Sequence, residues 1–197
     1  MHVLVTGAAT ALWVVFAVSA AGKVRGTARQ RAFAASLRPL GFIPERLLRS
    51  TALAVTAAEV AAVAGLSCVP FGTGAAGAPA RLVAAAALVL AAVLLAVLTG
   101  GIALALGRGA TASCACFGAA ERPLSRRHLM RNVALLAIAV CGVGLADQLP
   151  RSTAELPAAV LAGLGGAVVA LLLVRLDDIV DLFAPAAAAA ASRTARS

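Results

Sequence analysis

The chain has 197 residues, 62% of them hydrophobic and 13% charged, with a mean hydropathy of +0.99. Soluble domains run near half apolar and a quarter charged, so that class is excluded, and the lack of alternating apolar and polar stretches excludes a transmembrane barrel. A net charge of +9 with 4% aromatic residues and no tyrosine does not describe a nucleic-acid surface, which joins basic residues to stacking aromatics.

Five apolar stretches, at 3–22, 50–69, 82–106, 133–149 and 156–175, are long enough or nearly so to cross about 30 Å of hydrocarbon. They predict an all-α polytopic membrane bundle of five spans. A four-helix core occupies residues 1–150, an additional span 151–176, and a disordered cytoplasmic tail 177–197. Although Ser19-Ala20-Ala21 resembles a cleavage site, no Lys or Arg precedes Lys23 and a basic cluster follows it. That pattern reads as a retained first span with its amino terminus outside, not a signal peptide.

Between Thr27 and Leu40, Ala32, Phe33 and Leu37 fall on one side with arginines around them, which predicts a short amphipathic helix in the inner interface. Pro44 suits the start of the second span, with Arg46 and Arg49 snorkelling to the headgroups. Residues 70–80, rich in Gly, Ala and Pro, read as an outer loop. Basic residues are divided unevenly. Fifteen lie in 23–49, 107–131 and the tail, while only Arg81 and Arg151 fall on the other side. The positive-inside rule then predicts N-terminus out and C-terminus in, in the plasma membrane of a bacterium. The charge reads as topology and contact with anionic lipid.

Chemistry concentrates in the polar connection before the fourth span, which reads Cys114-Ala115-Cys116-Phe117-Gly118. Thiolates are the reactive form of cysteine and positive neighbours favour them; Arg108, Arg122, Arg126 and Arg127 are near in sequence. Gly118 gives the backbone freedom to bend two close cysteines together. Three readings stand side by side: a redox dithiol, inert thiols of a reducing compartment, or half of a metal site that lacks its remaining ligands. Cys68 and Cys141 lie at the edge of or inside apolar runs and read as small hydrophobes.

Glu59 sits mid-span, where a carboxylate is expensive and marks function or pairing. Its structural alternative is a hydrogen-bonded residue facing Thr51, Thr56 or another helix. Lys23 is its natural partner if the first two spans pack together, and otherwise a snorkelling anchor. Arg131-Asn132 opens the fourth span. Asn132 there suits a helix cap, and Arg131 a lipid-facing anchor or a countercharge to Glu59 or a thiolate. No phosphate loop, dinucleotide fingerprint or Ser/His/Asp arrangement occurs, so no cofactor and no metal is expected.

Taken together, Lys23 at the end of the first span, Glu59 in the second, Cys114-Ala115-Cys116-Phe117-Gly118 before the fourth and Arg131-Asn132 opening it resemble the MauE branch of the MauE/DoxX-like membrane proteins. The resemblance covers roughly residues 3–150 and departs at Ala115, where the family usually has glycine. It implies a small bundle of spans with a redox-associated accessory role in methylamine utilisation, linked to maturation of methylamine dehydrogenase. It implies redox thiols at Cys114 and Cys116, supported by Phe117, Gly118, Glu59, Lys23, Arg131 and Asn132. The charge count places the thiols on the inner face. The partners expected are therefore the lipid bilayer and a thioredoxin-like or disulfide-containing protein, with no nucleic acid. A non-catalytic assembly subunit with inert cysteines is the rival reading, and a small permease a third.

Overall fold

The computed structural model describes residues 2–38, 43–69, 78–108, 126–149, 156–176 and 179. Regular structure among them is helical throughout. α1 spans His2–Val24, α2 Thr27–Ser36, α3 Leu48–Leu66, α4 Ala78–Gly107, α5 Arg126–Gly144 and α6 Leu156–Val174. Short 3-10 turns at Glu45–Leu47 and Ala146–Gln148 lead into α3 and follow α5. Helix is what lipid demands, because each backbone N–H and C=O must find its partner within the segment. Hydroxyls inside the helices are satisfied in the same local way. Thr6, Thr10, Thr56 and Thr99 each donate to the carbonyl four residues back, at 2.6–2.9 Å.

Five helices, all but α2, are long and apolar enough to cross a membrane. The expected spans are present, with shifted ends. The second is entered after Pro44, as its sequence predicts, and Arg46 and Arg49 are exposed there. The third begins at Ala78 instead of residue 82, because Pro79 sits in a first turn where no amide donor is needed. At 30 residues α4 is about 45 Å long, more than the hydrocarbon requires. The fourth starts at Arg126, not 133, so the basic run is itself helical. Of the outer loop expected at 70–80, residues 78–80 open α4 instead and 70–77 lie outside the described residues; of the disordered tail expected at 177–197, Ile179 is helical, its N–H donating to the Arg175 carbonyl at 2.9 Å, and the rest lies outside the described residues.

Contacts run between α1 and α3, α3 and α4, α4 and α5, and α5 and α1, closing a ring of four. Trp13 Nε1 donates to Ser67 Oγ at 2.9 Å, while Ser19 and Lys23 meet Glu59, so α1 and α3 are antiparallel. α4 and α5 follow as successive hairpins. Gly65 on α3 faces Ala87 of α4, and Gly142 on α5 faces both Leu88 of α4 and Ala8 of α1. One apolar core joins Leu12, Val15 and Phe16 of α1 to Leu66, Leu88, Leu95 and Leu135.

α2 runs antiparallel beside the first turns of α3. Gln30 Nε2 donates to Thr56 Oγ1 at 3.2 Å, and Phe33, Ala34 and Leu37 pack with Leu48 and Ala52. The expected short helix is present, with Phe33 and Leu37 on its buried side as predicted; Ala34 joins them there in place of Ala32, which is exposed, and that side packs against protein.

α6 packs along α1, outside the ring. The two backbones approach so closely that a Cβ at Gly166 would strike the carbonyl oxygen of Gly7, while Gly163 faces Thr10. Small residues permit this approach where the hydrophobic effect gives no drive between helices. Replacing Gly166 with Val is expected to destabilise by about 1–3 kcal/mol through overpacking. Gly165→Ala, at a position with open space around it, is expected to be neutral. Thermal melting of both variants in detergent checks this.

Candidate functional site

Glu59 lies in the middle of α3 and is 1% exposed. Taking a carboxylate out of water costs several kcal/mol unless charge and hydrogen bonds compensate. Both are present. Lys23, in the last turn of α1 and 3% exposed, places its Nζ 2.5 Å from Glu59 Oε1. Ser19 lies one helical turn earlier on the same face of α1. Its Oγ donates to Glu59 Oε1 at 3.1 Å and accepts from Lys23 Nζ at 3.1 Å. Three side chains from two helices thus form a closed, charge-assisted triangle.

Phe33 of α2 completes the enclosure, its ring centroid 4.2 Å from Lys23 Nζ. Desolvated cation–π contacts of this kind are worth roughly 2 kcal/mol. The fit explains the direction of α2. After the break at Arg25-Gly26 the chain continues along α3, which brings Phe33 under the end of α1. Glu59 Oε2 is buried and has no hydrogen-bond partner among the described residues.

Across the ring, α5 contributes a second polar group. His128, Arg131 and Asn132 are 8%, 5% and 5% exposed, and with Leu135, Ala139 and Gly142 they form one buried stripe at helical spacing. Arg131 lies eleven residues before Gly142, and Ser19 eleven residues after Ala8. Because Gly142 and Ala8 touch, antiparallel α1 and α5 carry Ser19 and Arg131 to the same depth, about 16 Å from that contact. Arg131 is consequently enclosed, not a lipid-facing anchor. Asn132 lies in the second turn of α5, too far in to cap the helix as expected.

Lys23, Glu59, Arg131 and Asn132 therefore gather at one depth of the bundle, near the end of α1 and the start of α5 and midway along α3. Cys114, Cys116, Phe117 and Gly118 lie outside the described residues. The residues that flank their segment, Arg108 after α4 and Arg126 at the start of α5, stand at this same end. Cys68 is partly buried beyond the far end of α3, and Cys141 is exposed on α5; both are free. Among the described residues no three His, Cys, Asp or Glu side chains are grouped to hold a metal.

Sequence reasoning missed Ser19, the role of Phe33 and the burial of His128. The spacing held a signal for Ser19 and His128. Ser19 precedes Lys23 by one turn, and His128 precedes Arg131 and Asn132 by the same interval.

The family model described as methylamine utilisation protein MauE matches residues 1–146, which take in α1 to α5 and stop short of α6. No curated protein and no solved structure matched the chain.

Removing one member of the buried pair strands the other. Glu59→Leu and Lys23→Met are each expected to cost about 3–5 kcal/mol, and the Lys23→Met/Glu59→Leu double variant less than the sum of the two singles. A double-mutant cycle on unfolding in mixed micelles measures the coupling.

Proposed function

Because the chain belongs to the methylamine utilisation protein MauE family, we propose that this multi-pass membrane protein has a thiol-redox accessory role, with Cys114 and Cys116 as the exchanging sulfurs. What supports the reading is where the described flanks of the cysteine-bearing segment stand: Arg108 follows α4 and Arg126 opens α5, at the end of the bundle nearest the buried Lys23, Arg131 and Asn132. Polar groups enclosed in a membrane bundle are costly and mark functional regions. The guanidinium groups around the segment favour thiolate.

In the exchange, a thiolate of one cysteine attacks a sulfur of a partner's disulfide. The partner's S–S bond breaks, and its other sulfur leaves with the electron pair as a thiolate. The second cysteine then attacks the mixed disulfide, closing a Cys114–Cys116 bridge and releasing the partner as a dithiol; the reverse sequence oxidises the partner. Closing that bridge requires the backbone to bend, and glycine at position 118 offers the freedom to do so. Such a bridge closes a very small loop and is easily reduced again. The partner is a thioredoxin-like or other disulfide-containing protein, and the setting is methylamine metabolism, as the family description suggests.

The amino terminus lies outside and the thiols face the interior of a bacterial cell, a reading supported by exposed Arg25, Arg29, Arg31, Arg46 and Arg49 at that end. A structural-subunit reading draws on a different observation, that the Lys23–Glu59–Ser19 triangle by itself fastens α1 to α3.

Trapping thiols in intact cells separates the two. Cys114 and Cys116 are expected to interconvert between dithiol and disulfide by gel shift, and Cys114→Ser/Cys116→Ser to lose function in cells. A pair that is always reduced, together with a fully active double variant, removes the redox reading. A membrane-impermeant maleimide is expected to reach these cysteines only in inside-out vesicles; labelling of intact cells reverses the orientation.

A further inference from the structure

We propose that α2 and the start of α3 form a binding site for anionic phospholipid headgroups, a role independent of the thiol chemistry. On α2 the stripe Gln30, Phe33, Ala34 and Leu37 faces α3. At 100° per residue, Arg31 and Arg38 fall on one flank of that stripe and Arg29 on the other. All three are exposed while the helix stays docked. Arg46 and Arg49 are exposed at the start of α3, and Arg126 at the start of α5.

Charge complementarity identifies the occupant. The exposed carboxylate at this end among the described residues is Glu45, and it lies 3.3 Å from Arg38 Nε. No described carboxylate pairs with Arg29, Arg31, Arg46, Arg49 or Arg126, so among the described residues their positive charge is unneutralised. The choice of cation narrows the ligand further. The single lysine of the chain is the buried Lys23, and every exposed cation is arginine. Topology alone is served by either residue, whereas the planar guanidinium fork suits phosphate oxygens bidentately. These arginines lie beyond the apolar part of the bundle, on α2 and at the starts of α3 and α5, on the side where α1 ends. Phosphates carried on diacyl chains are held at that level by the bilayer itself.

The test uses the full chain purified in detergent and exchanged into nanodiscs, with bound lipid counted by native mass spectrometry. Phosphatidylglycerol is expected to be retained over phosphatidylcholine. That preference is expected to fall roughly thirtyfold in Arg29→Gln/Arg31→Gln, and to persist in Arg81→Gln at the opposite end. Glutamine keeps the helix propensity of these exposed positions, so the fold is retained; an unchanged melting profile verifies it, and Arg46→Gln/Arg49→Gln repeats the comparison on α3. Equal retention of the two lipids, or the same loss in Arg81→Gln, overturns the proposal. Displacement of phosphatidylglycerol by inorganic phosphate alone assigns the site to a free anion. Displacement by polyglutamate assigns it to an acidic protein. Either displacement overturns the lipid.

Discussion

One buried ion pair sets the arrangement of the amino-terminal half of this protein. A carboxylate at Glu59 and an ammonium at Lys23 are tolerable away from water only when held against each other. That requirement fixes the register of α1 against α3, because sliding either helix by a turn would strand both charges. Ser19 narrows the geometry further by sitting between the two charged groups and bonding to each. The remaining exposed side of the ammonium is closed by Phe33, which accounts for a helix where a loop would have sufficed to connect the spans.

The rest of the bundle follows a different rule. Between lipid-facing helices the hydrophobic effect supplies no preference for protein over acyl chain, so close packing decides. α1 meets this condition on several sides and is the most enclosed span, touching α3, α5 and α6. α6 is the least enclosed, and its contact depends on glycines that let two backbones meet. The family match stops before α6. The polar residues and the ring that holds them are thus complete within the matched part, and α6 adds a flank to α1 without contributing to the buried polar group.

Polarity is distributed along the bundle axis. One end carries exposed arginines on α2, α3 and α5, and the buried groups Lys23, Glu59, Arg131 and Asn132 lie toward that end. Internal and surface charge are therefore neighbours, separated by α2. That helix shows one face to the buried pair and two arginine-bearing flanks to its surroundings.

The sequence by itself determined the class, the spans and the unusual residues. Apolar runs of twenty residues have one solution in lipid, because an unpaired backbone group there is prohibitive; the helices at α1, α3, α4, α5 and α6 follow directly. A carboxylate inside such a run is conspicuous for the same reason, and Glu59 was visible on that ground alone. Helix ends were less legible. Arg126 and Arg127 read as loop residues by their charge, yet α5 begins with them, since arginine is a good helix former once its head reaches water. Only the tertiary structure decided which polar residues meet. Residues 19, 23, 33 and 59 come from three helices, and Arg131 reaches their depth from a fourth. Periodicity describes one helix at a time and holds no information about the rotation and depth at which two helices pack. Those are set by the shapes of facing side chains and by the demand that buried charges be paired, which is a property of the assembled bundle.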